Sequence, residues 1–208
     1  MANQKGRKQR HNLVQMIGAN VLPLEALAPI GKAIQEEVTW IGLSAATSDE
    51  KDENPLVCMV CEAIENLLGL CFVICQVFIT NVVSVCGRIP IANEQKTKKT
   101  KFRSNLLGRC SPIAIKYTQV AMIDGLANYF KHRDEWPSGV LPSDGPAKET
   151  ACIIKALHGE SDSARKLRKG FEAVVGDSEY SRVDRLAESV QSWAEKLRDQ
   201  YESQATRA

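Results

Sequence analysis

The sequence predicts an all-α protein, a helical bundle arranged around one long buried central helix. Residues 56–88 are almost continuously apolar and carry no charge between Glu65 and Arg88. Nowhere does the chain alternate apolar and polar residues over a length that would indicate a β-strand. At 208 residues it is long enough to form one domain with a substantial core. These observations together favour helices packed on helices.

The apolar segment 56–88 has the spacing of a long helix that packs one seam against other helices. Its apolar residues recur at alternating steps of three and four: Cys61, Ile64, Leu68, Cys71, Cys75, Phe78, Val82 and Val85. A helix this apolar is either the centre of a bundle or a membrane span. Residues 67–85 could cross a bilayer by length, but Gln76, Thr80 and Asn81 would be costly in lipid. We therefore expect a buried bundle helix and no membrane partner, with a membrane-anchored helical protein as the alternative.

Further helices are expected on both sides of this segment. Residues 1–20 are predicted to form a flexible basic tail, because they are rich in Lys and Arg and show no apolar period through residue 12. Residues 21–208 would then form a single helical-bundle domain, with a basic linker near 89–104. Ser111 and Pro112 have the residue types of a helix start. In all we expect five to seven helices, the last one capped by Ser181.

Seven cysteines raise the question of disulfides or a metal site. Five of them lie in segment 56–88, and one straight helix cannot pair its own cysteines in disulfide geometry. Cys58 and Cys61 have the spacing of half a zinc or redox site, but no second pair lies nearby in the sequence. We therefore expect free thiols in a reducing cytoplasm, where they serve as small core residues. No metal and no cofactor is predicted.

The net charge of +2 does not by itself indicate nucleic acid. The basic residues are nevertheless clustered, and such clusters either form solvated surface or contact phosphate groups. Contact with phosphate would require the basic segments to converge in space. The candidate nucleic-acid contacts are Lys98, Lys99, Lys101, Arg103, Lys131 and Arg133.

Residues 127–136, with the sequence ANYFKHRDEW, place aromatic, imidazole and charged groups in the last turns of an otherwise apolar helix. Asp124, Asn128 and His132 are four residues apart and share one face. The pair Asn128 and His132 resembles the motif of the HEPN superfamily, small helical bundles found in prokaryotic toxins, defence systems and RNA-processing factors. The resemblance covers residues 55–136 in their helix order. Ala127 stands where these proteins usually carry an Arg.

The resemblance implies a cytoplasmic protein that engages RNA or a partner protein in bacterial defence or toxin regulation. It also implies a homodimer that brings two motif faces together. In metal-independent RNA cleavage a His transfers the proton of the 2′-hydroxyl, and an Arg stabilises the charge that builds on the phosphate. By resemblance, His132 would be the proton-transfer residue and Asn128 would orient it or the substrate.

The departure at Ala127 leaves such an endoribonuclease without its anion-binding residue. A substitute would have to come from elsewhere: Lys131 and Arg133 lie on different faces from Ala127, and Arg103 or Arg109 could arrive from the linker. The alternative is a non-enzymatic helical scaffold or complex subunit, in which Asn128 and His132 have structural roles. The sequence leaves both alternatives open.

Overall fold

The computed structural model describes residues 2–47, 55–89, 99–108, 117–135, 143, 147–158 and 166–206. Within these ranges the chain forms nine α-helices and one short 3-10 helix, Arg133–Glu135, and contains no β-strand. The α-helices are α1 (Ala2–Gln15), α2 (Leu22–Glu25), α3 (Leu27–Thr47), α4 (Pro55–Cys86), α5 (Lys99–Gly108), α6 (Gln119–His132), α7 (Lys148–His158), α8 (Lys166–Val175) and α9 (Asp184–Thr206). The predicted all-α bundle is confirmed, although the described helices outnumber the expected five to seven.

Helix α4 is the centre of the bundle. It packs most extensively against α6 and α3, and it also contacts α9, α8, α2 and α1. Helix α7 packs on α6 and α8, while α5 lies against α6. The 32 residues of α4 extend for about 48 Å at 1.5 Å per residue. One helix can therefore contact six others along its length.

One side of α4 forms the middle of the hydrophobic core, and we call it the inner face. Its residues are each at most 2% exposed: Ile64, Leu68, Cys71, Cys75, Phe78 and Val82. The predicted stripe is confirmed at these positions, whereas Cys61 and Val85 at its ends are only half-buried. By length and composition Val57–Cys86 could cross a membrane, and half of its most apolar window is buried by other parts of the chain. The central helix of a bundle meets the same criterion.

The close approach of α4 and α6 depends on Gly69. A Cβ atom at this position would lie 2.1 Å from Cδ2 of Phe130 and 2.5 Å from its Cγ. The ring of Phe130 thus lies directly over the backbone of α4. Because protein interiors are close-packed, any side chain at residue 69 would have to displace this ring.

The prediction of a flexible basic tail over 1–20 is corrected by the structure. Residues 2–15 form α1, which packs against α9 and α4. The physical reason lies at the end of the segment, where Val14 and Ile17 are each 1% exposed and anchor it to the core. Gln15 adds a hydrogen bond from its Nε2 to Oε1 of Glu202 at 2.7 Å. Arg7 and Lys8 lie on the solvent side of this docked helix, whereas Arg10 is half-buried.

Two further expectations about helix boundaries are also corrected. Helix α5 begins at Lys99, inside the segment 89–104 that the sequence predicts as a linker. Helix α6 begins at Gln119 and not at Ser111 or Pro112, which lie outside the described residues. The cap of α6 is Thr118, whose Oγ1 accepts a hydrogen bond from the Ala121 N–H at 3.1 Å.

Thr118 also joins α6 to α5, because its hydroxyl donates to the Leu107 carbonyl at 2.6 Å. Thr118 thus occupies the N-cap position of α6 and is also held there by its contact with α5. At the end of the chain, α9 begins at Asp184, and Ser181 does not cap it. The Ser181 hydroxyl instead donates to Oε1 of Glu179 at 3.5 Å.

Candidate functional site

Helix α6 carries the candidate catalytic residues on one face, as the four-residue spacing predicts. Asp124 is buried near the start of this face, Asn128 is half-buried in its middle, and His132 is exposed at its end. The face lies beside α4, which supplies Gln76, and beside α5, which supplies Arg103. These five residues form the polar site that the sequence singles out, extended by two neighbours from other helices.

Gln76 holds the middle of this site together. Its Nε2 donates to Oδ1 of Asp124 at 2.7 Å and to Oδ1 of Asn128 at 2.9 Å. Gln76 is only 8% exposed, so its amide would be costly to bury without these acceptors. The oxygen of Asn128 therefore satisfies a buried donor of α4 and has a structural partner.

Arg103, one of the residues that could replace the missing motif Arg, reaches the α6 face from α5. It does so one turn before Asn128, and its guanidinium forms an ion pair with Asp124 through Nη2. Its Nε also donates to Oδ2 of Asp124 at 3.3 Å, and Nη1 donates to Oγ1 of Thr80 at 3.4 Å. The charge that could stabilise a phosphate is thus already paired with a carboxylate.

His132 stands apart from this network. Its Nδ1 lies 3.0 Å from Oε1 of Glu135, and both side chains are largely exposed. No hydrogen bond joins His132 to Asn128 or Arg103 within the described residues. Ala127 is 0% exposed, so the position where HEPN proteins usually carry an Arg points into the core. The catalytic residues predicted by resemblance share a face but do not form a joined acid–base and anion-binding site.

The predicted nucleic-acid contacts are divided among different surroundings. Lys98 lies outside the described residues, and Lys99 and Lys101 are in α5 with side chains that the structure does not describe. Arg133 donates to Oδ1 of Asn66 at 2.8 Å, and its guanidinium lies 4.9 Å from the centre of the Phe130 ring. Lys131 is exposed. Lys131 and Arg133 are thus at the end of α6, whereas Arg103 is held near its start.

One further cation approaches the end of α6. Nζ of Lys166, at the start of α8, lies 5.5 Å from the centre of the Tyr129 ring. This contact brings the basic start of α8 close to the helix end that carries Lys131 and Arg133. This contact joins one lysine of α8 to the end of α6; the convergence of the basic tail, the linker and the start of α8 stays a prediction.

Sequence reasoning missed the buried ion pair between Glu65 and Arg168. Oε1 of Glu65 accepts from Nε of Arg168 at 3.0 Å, and Oε2 accepts from the Leu167 N–H at 2.9 Å. The carboxylate thus occupies the positive N-terminal end of α8. Burial has the largest single effect and lowers the pKa of Arg168, but the hydrogen bond that Arg168 donates to Glu65 and the nearby acidic groups of Cys61, Glu65 and Tyr180 together raise the pKa overall. The signal in the sequence was that Glu65 is the last charge before a long apolar run.

The second feature that the sequence did not predict is an exposed apolar seam on α4, which we call the outer ridge. Met59 is 65% exposed, and Leu70 and Val77 are each 46% exposed. The ridge follows one side of the helix at steps of three and four residues, apart from the adjacent pair Val73 and Ile74, and it continues to Arg88 just beyond the end of α4. Its members are Met59, Ala63, Asn66, Leu70, Val73, Ile74, Val77, Asn81, Ser84 and Arg88.

A cavity of about 230 Å³ adjoins the C-terminal part of the outer ridge. Phe78 and Val82 contribute apolar walls, and Asn81, Ser84 and Arg88 of the ridge lie at its border. Among the described residues, Asn81 has no hydrogen-bond partner and Arg88 bonds only to the Ser84 hydroxyl, at 3.4 Å. The polar groups at this border are therefore available to a partner.

The described cysteines are free thiols, and Cys71 and Cys75 are fully buried. Burial raises the pKa of the Cys71 thiol to about 12, and it also raises the pKa of Cys75. No group of His, Cys, Asp and Glu side chains in the described part of the chain is arranged to hold a metal ion. Cys71 and Cys75 thus have the environment of core residues, as expected, whereas Cys58 is exposed and is not a core residue.

Comparison with known proteins adds no relative to this description. No protein-family model matches the chain, and neither a curated protein nor a solved structure resembles it closely enough to count as a match.

Proposed function

We propose that the protein is a non-enzymatic helical subunit that acts by binding another protein through the outer ridge of α4. The observation that carries this proposal is the exposure of Leu70 and Val77 in the middle of the most apolar helix of the chain, each at 46%. Apolar side chains at this spacing form the seam by which helices recognise helices. Covering apolar surface releases roughly 25 cal/mol per Å², so an exposed seam favours a partner.

The polar site on α6 supports a structural role in place of catalysis. The oxygen of Asn128 is used by Gln76, the guanidinium of Arg103 is used by Asp124, and His132 is paired with Glu135. A general acid–base mechanism needs a histidine within hydrogen-bond reach of its partner and an anion-binding group nearby. The free buried thiols also support a reducing compartment, and we propose the cytoplasm.

The proposal is tested with two variants of the ridge, Leu70→Asp and Val77→Asp. Complexes isolated through a tag on the full chain are compared by native mass spectrometry, with every component identified by its mass and sequence. We expect a defined partner chain that both variants lose. The matched control is Ala156→Asp, which adds the same charge at an exposed position of α7, a helix that packs on α6 and α8. Identical complexes in the ridge variants and the wild type would contradict the proposal.

A second candidate function is RNA binding of the HEPN-like kind, at the end of α6. It is supported by the approach of Lys166 to Tyr129, which adds α8 to a helix end that already carries Lys131 and Arg133. Arrangements of cations around an aromatic ring suit a nucleic acid, because phosphates and bases can both be contacted. In this proposal the α6 face binds RNA, and any cleavage would depend on His132.

Salt titration of binding to a fluorescent single-stranded RNA tests this second function. We expect a slope that reflects a few phosphate contacts if the proposal holds, and Lys131→Ala should reduce the slope by about one contact. Lys32→Ala is the matched control, because Lys32 is an exposed lysine of α3 that pairs with Glu36. If the chain does not bind the RNA, or if its affinity does not change with salt concentration, RNA binding is excluded.

A further inference from the structure

We propose that the partner of the outer ridge is a second copy of this chain, with the two α4 helices antiparallel and the two-fold axis passing between Val73 and Ile74. This inference rests on the proposed function and adds the identity of the partner and the register. An isologous contact requires a surface that is complementary to itself. The outer ridge meets this requirement in its central part, from Asn66 to Asn81.

The register follows from matching polarity along the ridge. With the axis between Val73 and Ile74, Leu70 lies opposite Val77 of the second copy, and each is 46% exposed in the single chain. One step outward, Asn66 lies opposite Asn81. A further step places Ala63 opposite Ser84, and Met59 opposite Arg88. Apolar residues thus meet apolar residues at the centre, and amide meets amide on both sides of it.

Neighbouring registers do not preserve this match. Moving the axis by half a heptad towards the N-terminus would place Asn66 opposite Ile74 of the second copy. Moving it the other way would place Leu70 opposite Ser84 and Val73 opposite Asn81. Either shift buries an amide or hydroxyl against an apolar side chain, which costs free energy unless a hydrogen bond is made. Polar residues inside a helix seam select register in this way.

The distribution of charge selects the antiparallel orientation. A parallel pair would bring Arg88 against Arg88 of the second copy, and neither would have a carboxylate partner among the described residues. In the antiparallel pair, Arg88 lies at the end of the second helix that carries Glu62, an exposed residue on the flank of the ridge. Antiparallel helices also oppose their dipoles favourably. Both terms act against the parallel pair.

In this arrangement the second copy covers the cavity beside the outer ridge. Met59 is about 22 Å from the axis at 1.5 Å per residue, and Arg88 lies just beyond the other end of α4. Ala63 and Met59 of the second copy therefore lie over the border of the cavity formed by Ser84 and Arg88. Met59 is the most exposed apolar residue of the ridge and has a flexible side chain that can fill irregular space.

The same residues argue against a lipid surface as the occupant. Asn66 uses its oxygen to accept from Arg133, and Asn81 has no partner among the described residues. Facing hydrocarbon, the amide of Asn81 would be unsatisfied, which is costly. Facing Asn66 of a second copy, it can accept from the free amide nitrogen of that residue. A protein surface of matching pattern is therefore the better occupant.

The mass of the purified, detergent-free chain in sedimentation equilibrium tests the dimer. We expect a dimer whose dissociation constant rises at least about 30-fold in Leu70→Asp and in Val77→Asp, as for central interface residues. Because both side chains are half-exposed, these variants should keep the helical circular dichroism of the wild type. Ala156→Asp should leave the dissociation constant unchanged. A wild type that is monomeric at all concentrations overturns the inference, whereas the proposed function then still stands on complexes with other chains.

Cross-linking tests the register and orientation. Leu70→Cys and Val77→Cys are made separately, in a background where Cys58, Cys110 and Cys152 are replaced by Ser, and the two proteins are mixed with a short bifunctional maleimide. We expect cross-links between residues 70 and 77 of different chains and few between like positions. Links of 70 to 70 and 77 to 77 would overturn the antiparallel register and leave the ridge as a protein-binding surface. Two results would overturn both proposals. The first is a dimer that Leu70→Asp and Val77→Asp do not weaken. The second is a wild type that floats with anionic lipid vesicles while these two variants do not.

Discussion

Helix α4 presents two apolar faces, and the rest of the described chain buries one of them. On the inner face Leu68 is 0% exposed, whereas two residues later Leu70 is 46% exposed on the outer ridge. The outer ridge also carries the polar residues Asn66, Asn81 and Ser84, but in the middle of α4 both faces present apolar side chains at similar spacing. The difference teaches that a hydrophobic seam indicates that something covers it, while the identity of the cover depends on the tertiary neighbours.

The sharpest way to test this comparison is to truncate one leucine on each face. Leu68→Ala should destabilise the fold by about 3 kcal/mol or more, because it leaves a cavity in a close-packed core. Leu70→Ala should cost less than about 1 kcal/mol in the isolated chain, because its side chain is already half in water. Urea unfolding at a concentration where the chain is monomeric measures both. Equal losses for the two variants would show that the faces do not differ.

Next in size is the polar contact that the inner side of α4 makes with α8. Glu65→Gln should cost about 3 kcal/mol, because it leaves the largely buried Arg168 without its counter-charge. The matched control is Glu62→Gln on the exposed flank of the same helix, which should change stability by less than about 0.5 kcal/mol. Thermal unfolding followed by circular dichroism gives both values. If Glu65→Gln and Glu62→Gln change the stability equally, the ion pair between Glu65 and Arg168 does not stabilise the fold.

The contact between α4 and α6 can be tested at a single glycine. Gly69→Ala should cost about 2 kcal/mol, because the added Cβ overlaps the ring of Phe130 and forces it to move. Gly108→Ala is the control, since a Cβ at that position meets no atom within 4 Å. The pair is compared by urea midpoints, and a neutral Gly69→Ala would mean that α6 does not approach α4 so closely.

The buried thiols of the inner face predict an alkaline loss of stability. Burial raises the pKa of Cys71 from 9.0 to about 12, so its contribution is complete below pH 9 and is lost as the pH rises towards 12. At pH 10 the loss from Cys71 should be about 1.4 kcal/mol, since pH 10 is one unit above the unfolded pKa and one unit corresponds to about 1.4 kcal/mol. Cys71→Ala should reduce the pH dependence between pH 8 and pH 10. An unchanged dependence would contradict the burial of this thiol.

The smallest expected effect is at the candidate catalytic histidine. His132→Ala should change stability by less than about 0.5 kcal/mol, because the pair of His132 and Glu135 is exposed. It should also leave any RNA cleavage by the purified chain unchanged, as should Arg103→Lys. If the purified chain cleaves a labelled RNA and His132→Ala abolishes this cleavage, the endoribonuclease predicted by resemblance is established instead.

The sequence predicts the inner face of α4 well, because periodicity alone places Ile64, Leu68 and Cys75 on one side. It does not predict that Val14 and Ile17 dock α1, since two apolar residues at the end of a basic segment show no period. The pairing of Glu65 with Arg168 could not be predicted either, because the two residues are far apart in the chain and meet only when α8 packs on α4. Tertiary contact decides such pairs.

The candidate site shows the same limit. The spacing of Asp124, Asn128 and His132 predicts that they share a face, and they do. It does not indicate that Gln76 donates a hydrogen bond to the oxygen of Asn128, or that Arg103 forms an ion pair with Asp124. The surroundings of each polar group come from other helices, so the chemistry of the face could not be predicted from α6 alone.

The rate of thiol labelling in detergent-free buffer tests the two faces of α4 most directly. We expect Cys58 and Cys152, which are exposed, to react at once with a water-soluble maleimide. Cys71 and Cys75 should react only when the chain unfolds, because the other helices cover them completely. Labelling of Cys71 and Cys75 in the native protein as fast as Cys58 would contradict the central claim that the chain buries the inner face of its own central helix.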